Sequence, residues 1–381
     1  MRKIVVLGAG YAGMTAIVNI VARTRQRDDV QITVVNGSTR FTERLRLHQV
    51  ASGQELPELN IPELLPEVDF VKGWVTGVDV DAKTVRVDDE RVIEYDTLIY
   101  ALGGVTDTTT VPGADEHAHT LDGAHGAELL ARRLADLTTG TVAVCGSGLT
   151  GVEAAAEIAE QHPELDVVLL GRQEPGADMG PKARAALRAG LDRLGVKVRG
   201  GVEIVKVLPD SVRLAGGESL AADVVLWTSG VRVPVLARGL EVDERGRIVT
   251  DDALRSVSHQ DVYVIGDAAA IQQRYGVMHG TCQGGMPTGS HAGLSIVREL
   301  NGKAPKRFRF GYFHLPVSLG RHDGVIQFTR PDGAPRRWFL TGRRAVWYKE
   351  TVSSAPWPTF SRIKKLPIQG AIWTHGGRYT R

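Results

Sequence analysis

The sequence predicts an α/β protein built from two parallel-sheet units and a small C-terminal module. Three observations carry this. The chain opens with a buried strand that runs into closely spaced glycines and a helix, the same pattern returns at Thr141, and the last fifth switches to a basic, tryptophan-rich composition. At 381 residues, 43% hydrophobic and 24% charged, the chain has ordinary globular usage and enough length for two or three domains around a large core.

Element by element, Ile4 to Leu7 reads as a short buried strand, with Gly8, Gly10 and Gly13 directly behind it. Each glycine has a mechanical role in a cradle for a pyrophosphate. Gly8 makes the tight turn, Gly10 removes the side chain that would meet the phosphates, and Gly13 lets the next helix pack closely on the strand. Tyr11 and Ala12 lie inside the cradle, Met14 to Ala22 is the helix, and Gln31 to Val35 is a second strand ending about 28 residues after Gly8. That is the length of a βαβ unit that places phosphates at a helix N-terminus. Arg2 and Lys3 before an apolar run also resemble a secretory signal, but the glycines break the helix such a signal needs.

Asn36 to Gly53 is polar and turn-rich and reads as a long loop or short helix near the cradle. Strands follow at Asp69 to Val71, Val75 to Val80 and Thr84 to Val87, and a buried strand then ends in Ala101, Leu102, Gly103 and Gly104. The opening pattern returns as the strand Thr141 to Cys145, the glycines Gly146, Gly148 and Gly151 around Leu149 and Thr150, and an alanine-rich helix over Val152 to Gln161. Two cradles imply two dinucleotides. Asp166 to Leu170, a helix over Pro181 to Leu194, and strands at Val196 to Arg199, Glu203 to Leu208, Ser211 to Leu214 and Val224 to Thr228 complete the second unit.

Further on, the strand within Asp261 to Ala270 delivers Asp267 through Gly266, where a carboxylate can accept hydrogen bonds from a sugar alcohol or cap a helix. The segment Gln283 to Thr288, with Met286 and Pro287, reads as a glycine-rich turn, and a helix follows at about His291 to Leu300. From Lys303 to Arg381 the net charge is +13, against −11 for the first 302 residues. This module also holds Trp338, Trp347, Trp357 and Trp373, a composition that suits an anionic membrane surface or acidic partner, or a solvated face paired with the acidic body. No apolar run reaches transmembrane length. Two cysteines, Cys145 and Cys282, make neither a disulfide framework nor a four-ligand zinc site, and no other metal spacing occurs. No nucleophile elbow or nucleic-acid module is present, so serine hydrolysis and nucleic-acid binding are not expected.

Taken in order, Gly8 to Gly13, Tyr100 to Gly104, Gly146 to Gly151 and Ile265 to Ala268 resemble the pyridine nucleotide-disulfide oxidoreductase superfamily over roughly residues 1 to 300. The resemblance implies two Rossmann-like three-layer dinucleotide-binding domains of glutathione-reductase-like type. Residues 1–113 and 244–310 would form a discontinuous FAD-binding domain, 114–243 an NAD(P)H-binding domain, and 311–381 the basic module. It implies that Gly8, Gly10, Gly13 and Asp267 hold FAD, and that Gly146, Gly148 and Gly151 hold the nicotinamide nucleotide. Ala101-Leu102-Gly103 matches the family's Ala-Thr-Gly turn with Leu in place of Thr. Within the superfamily, Thr150 to Glu153 and Trp227 to Val231, which includes Gly230, look most like type II NADH:quinone oxidoreductases and apoptosis-inducing-factor-like proteins. There the glutamate matching Glu153 lies near the nicotinamide; as a bare sequence feature it is equally a first-turn helix glutamate.

Four departures sharpen the expectation. No Cys pair occurs near residues 40 to 55, so disulfide reduction is disfavoured. Asn36 replaces the usual acid at the FAD ribose, with an amide that still bonds hydroxyls. Arg172 follows the second unit's closing strand where a carboxylate would select NADH, giving NADPH equal standing. Pro287 to Ala292 lacks the glutamines of the relatives' quinone motif. The resulting expectation is an enzyme that passes hydride from NADH or NADPH to FAD and electrons on to a quinone-like acceptor, with Met286 and Pro287 beside the flavin ring. A ferredoxin or small metabolite as acceptor, and a nucleotide-sensing flavoprotein with little turnover, stay open. His48, His279 and His314 are candidate proton donors or plain packing residues. A cytoplasmic location is expected, at the inner membrane face if the basic module docks there; a homodimer is open.

Overall fold

The structure, a computed structural model, describes residues 1–234, 236–367 and 373–380, with the side chains of Ala237 and Cys282 outside the description. Part of the expected 311–381 module, and the side chain of Cys282, therefore lie outside the described residues. Burial drives two parallel sheets. In the first, strands Val262–Val264, Thr97–Tyr100, Arg2–Leu7, Val30–Asn36 and Asp69–Lys72 lie side by side in that order. Their near-continuous Val, Ile and Leu runs are what a sheet covered on both faces requires. The second sheet orders Lys197–Arg199, Leu165–Leu170, Gly140–Cys145 and Val224–Trp227, again all parallel.

The two glycine turns repeat each other. Gly8 N–H donates to the Val35 carbonyl at 2.9 Å and Gly146 N–H to that of Leu170 at 2.8 Å, tying each turn to the neighbouring strand. The helices that follow, Tyr11–Thr24 and Leu149–Gln161, start three residues before the positions the apolar pattern suggests. The third glycine thus sits in the first helical turn. A Cβ on Gly13 would strike the Gly8 carbonyl oxygen, and one on Gly151 that of Gly146, so only glycine allows each helix to approach its turn this closely.

An antiparallel ribbon, Val75–Asp79, Thr84–Val87 and Arg91–Glu94, flanks the first unit, and Ala237–Arg238 joins it in parallel on returning from the second. One expectation fails. Gln283–Thr288 is not a turn but lies in the helix Cys282–Leu300, which Thr281 caps by accepting from Gly284 N–H. The helix packs on the opening helix just beyond this segment, where a Cβ on Gly289 would strike the Ala12 carbonyl.

The C-terminal segment folds as a three-stranded antiparallel sheet, His314–Leu319, Asp323–Thr329 and Pro335–Thr341, followed by helices Gly342–Ser354 and Pro356–Lys365. It joins both units. Val317, Leu319 and Val325 share a core with Val152 and Leu187 of the second unit, while Phe360 and Ile363 pack into the first beside Phe41. Part of its charge pairs with the acidic body, through Lys349 to Glu153 and Lys364 to Glu67.

Candidate functional site

One large cleft opens between the two units at the carboxyl ends of their strands. From the first unit it is lined by Gly8, Gly10, Tyr11, Ala12, Asn36, Ala101, Leu102, Gly103, Gly266 and Asp267, and from the second by Thr150, Glu153 and Gly230. These are thirteen of the expected positions, ten of them from the four separated motifs and the others Asn36, Glu153 and Gly230. Gly10 and Gly148 are the extended N-cap residues of their helices, and a Cβ built on either meets nothing within 4 Å. The missing side chains therefore leave open space in front of two helix N-termini, as a pyrophosphate needs.

Asn36 is partly committed to shaping the first turn. Its Oδ1 accepts from Ala9 N–H at 2.9 Å and its Nδ2 donates to the Ser38 carbonyl at 2.7 Å, which leaves one lone pair and one N–H for a sugar hydroxyl. Asp267 opens a short 3-10 turn at the end of its strand. Burial pushes its carboxyl above the ordinary range, against the opposing pull of Arg44. Arg44, which also lines the cleft and donates to the Gly104 carbonyl at 3.0 Å, supplies the positive charge near the first cradle. These donors and acceptors fit a dinucleotide: anion-binding turn, sugar-binding carboxylate and amide, and an arginine.

Other expected residues stand behind or outside this lining. Gly13, Gly146 and Gly151 act through close packing, Leu149 is partly buried in the first turn of its helix, and Arg172 is exposed just past the strand Leu165–Leu170. Met286 and Pro287 do not line the cleft; one helical turn turns them toward the core, and Thr281 and Gly285 face it instead. The lining also includes His48, Trp227 and Thr228 of the Trp227 to Val231 stretch, and Trp74, which no motif announces.

Beneath the cleft lies a polar cluster assembled from distant segments. Glu153 Oε1 accepts from Ser318 N–H at 2.9 Å and Ser318 Oγ at 3.1 Å, and meets Lys349 Nζ at 2.7 Å. Both partners of this ion pair are under a tenth exposed. Burial pushes the Glu153 carboxyl up, but Lys349, His48 and the hydrogen bonds outweigh it and hold it below the ordinary value. His48 Nε2 stands 3.4 Å from Ser318 Oγ and 4.0 Å from Glu157 Oε2, and burial pushes its imidazole down to about 4. Of the other histidines, His279 stacks on Tyr312 with centroids 4.2 Å apart and His314 Nδ1 bonds the Tyr348 hydroxyl at 2.8 Å; neither lines the cleft. Among the described residues no group of three or more His, Cys, Asp or Glu is placed to hold a metal.

Comparison with known proteins agrees with this geometry. Residues 2–292 match the family described as pyridine nucleotide-disulphide oxidoreductase. An NADH dehydrogenase-like protein of Mycobacterium tuberculosis is 30% identical over 384 aligned residues, covering 93% of this chain and 94% of the relative. A type II NADH:quinone oxidoreductase of Staphylococcus aureus is 28% identical with the same coverage, 93% and 94%. Among solved structures, the sulfide:quinone oxidoreductase of Aquifex aeolicus superposes with a TM-score of 0.79 at 16% identity, over 96% of this chain and 92% of that one. NDH2 of Plasmodium falciparum, solved in complex with NADH, gives 0.76 at 15% identity, over 97% and 99%. At these identities the two structures speak for the fold.

Proposed function

The chain belongs to the pyridine nucleotide-disulphide oxidoreductase family, and from that premise we propose that it is a FAD-dependent NAD(P)H oxidoreductase that passes electrons to a quinone-like acceptor. The single observation that carries the reading is that one cleft is lined both by the first glycine cradle, at Gly8 and Gly10, and by Thr150 and Glu153 at the start of the helix behind the second. Relatives covering nearly the whole chain bear the names NADH dehydrogenase-like protein and type II NADH:quinone oxidoreductase.

Flavin, when bound, supplies the two-electron chemistry. The chain's own residues do the rest. Gly8, Gly10, Gly13 and Asp267 would hold FAD, with Asn36 and Arg44 at its polar end; Gly146, Gly148, Thr150 and Gly151 would hold the nicotinamide nucleotide. The shared cleft would hold the two cofactors against each other, so that their encounter becomes a positioned one. Glu153, fixed by Lys349 and Ser318 at the base of the second cradle, would orient the nicotinamide end. Cys145 takes no part as a dithiol: it is fully buried in the second sheet, and burial pushes its thiol up to about 12. Exposed Arg172 past the second unit's strand suits a 2′-phosphate, so NADPH is proposed beside NADH.

The surface of the C-terminal module supports an acceptor met at a membrane. Trp338 and Trp347 are 77% and 71% exposed, with exposed Arg336, Arg337, Arg343 and Arg344 around them in sequence. Trp347 shares a helix flank with Arg343 and Arg344, four and three residues earlier. Basic side chains with interfacial tryptophans suit the surface of an anionic bilayer, where a lipid-soluble quinone would be met. No described helix is long and apolar enough to cross a membrane.

The test is anaerobic stopped-flow mixing of the flavin-loaded protein with NADH and separately NADPH, then with a soluble quinone. Bleaching followed by quinone-driven reoxidation is expected. Bleaching without reoxidation would overturn the quinone assignment, and a protein that binds no flavin would overturn the two-cofactor reading. Sedimentation with phosphatidylglycerol vesicles, lost in a Trp338→Ala, Trp347→Ala double variant and at high salt, is the expected result for the surface assignment.

A further inference from the structure

The helix Leu149–Gln161 carries a second buried glutamate one turn beyond Glu153, and the reaction above gives it no role. Glu157 is fully buried. Its Oε1 accepts from the Gln54 amide, whereas Oε2 has no hydrogen-bond partner and points to within 4.0 Å of His48 Nε2. A buried carboxylate with one orphaned oxygen is costly, and the orphan is relieved if that oxygen carries a proton. The groups facing it agree. His48 comes from the helix Leu47–Ala51 and Gln54 from the loop behind it. Glu153 and Glu160 lie on the same helix, Arg321 on the hairpin turn beyond His314–Leu319, and Lys349 is already committed to Glu153. Arg321 is engaged by Glu350, and its backbone N–H by Glu160. Burial pushes the Glu157 carboxyl up to about 7 and the His48 imidazole down to about 4, so near neutral pH the carboxyl exchanges a proton beside a neutral imidazole rather than forming an ion pair.

We propose that Glu157 is the proton store for acceptor reduction and delivers its proton to the cleft through His48. The inference rests on the oxidoreductase reading above. The balance requires such a donor: NAD(P)H gives up two electrons and one proton, together as hydride, whereas a quinone becomes a quinol by taking two electrons and two protons. The missing proton leaves Glu157 Oε2, bonds to His48 Nε2, and His48 passes a proton on into the cleft that it lines. The carboxylate left behind is reprotonated from solvent on the side of half-buried Gln54.

The experiment compares wild type with Glu157→Gln, which keeps the size of the side chain, and with His48→Asn, which leaves Glu157 in place. Infrared difference spectra of the flavin-loaded protein between pH 5.5 and pH 9 read the acid directly. A carboxylic C=O band present at low pH, lost at high pH and absent from Glu157→Gln is expected. In anaerobic stopped flow, both variants should be reoxidised by menadione about a hundredfold more slowly, the usual scale of a lost proton donor, while Glu157→Gln, which stands behind the cleft, should still be bleached by NADH at the wild-type rate. The fall in wild-type reoxidation rate above pH 7 should vanish in Glu157→Gln. Absence of the band in wild type, or variants that reoxidise at the wild-type rate with the wild-type pH profile, would overturn the proposal. Wild type that bleaches but is not reoxidised by menadione overturns the quinone reading instead, and the infrared band still decides whether Glu157 holds a proton.

Discussion

Replacing Lys349 with Met isolates what the ion pair beneath the cleft contributes. Met fills the space of the lysine stem, so packing of the helix Gly342–Ser354 against the second unit is retained while the ammonium is lost. Glu153 keeps its two bonds from Ser318 but loses the cation at 2.7 Å, and it has almost no access to water. Breaking a buried pair from one side costs about 3–5 kcal/mol, because the remaining charge is left uncompensated. The pH dependence fixes the mechanism. In wild type the Glu153 carboxyl is held below its ordinary 4.5, so its contribution is present above that pH and is lost as pH falls through the lowered folded value. In Lys349→Met the burial that pushes the carboxyl up loses its main opponent, the folded value rises, and the acid can take a proton. The deficit in urea unfolding of the flavin-loaded protein should therefore be larger at pH 8 than at pH 5.5. Adding Glu153→Gln, which removes the charge but keeps an acceptor for Ser318, should recover about 2 kcal/mol of the loss at pH 8. A Lys349→Met variant within about 0.5 kcal/mol of wild type at pH 8, or a double variant no more stable than the single one, would refute the reasoning.

Three further outcomes follow from the same geometry. Gly13→Ala should yield protein that does not retain FAD, whereas Gly151→Ala should stay yellow but bleach with NADH at least tenfold more slowly; flavin absorbance and stopped flow read the difference, since the two Cβ atoms strike different turns. If Arg172 meets the 2′-phosphate as proposed, Arg172→Ala should raise KM for NADPH about tenfold and leave NADH unchanged; steady-state kinetics with both nucleotides checks it. His48, His291 and His314 are each pushed down to about 4 by burial, so below their ordinary 6.5 the unfolded chain binds protons that the folded chain does not. Stability should fall as pH drops from 6.5 toward 4, offset in part by Glu157, at roughly 2–3 kcal/mol per pH unit in urea midpoints taken between pH 6 and pH 5.

The parts of the site that could be read from the chain are those whose constraint is local. A glycine needed because a helix must touch the preceding turn announces itself within six residues, as Gly8 and Gly13 do, and Asp267 is visible because a strand and Gly266 deliver it. The same locality misleads at Gln283–Thr288. Gly284, Gly285 and Pro287 suggest a turn, yet the helix Cys282–Leu300 runs through them and packs at Gly289 on the opening helix, about 270 residues away, which only the packed fold reveals. Lys349 is the clearest case of what a sequence hides. Among 16 basic residues in the last fifth of the chain it carries no mark, and its partner Glu153 lies in the alanine-rich helix of a different unit. Its role arises because strand His314–Leu319 buries an apolar face on the helix Leu149–Gln161, and its partner strand Asp323–Thr329 carries the helix Gly342–Ser354, and with it one lysine, under the cleft. The apolar contacts set the position and the ion pair then becomes obligatory, since a carboxylate covered by that face must be compensated. The basic module is thus not only a surface: one of its charges completes the floor of the site, and the tryptophans and arginines left outside are those that remain available to a partner.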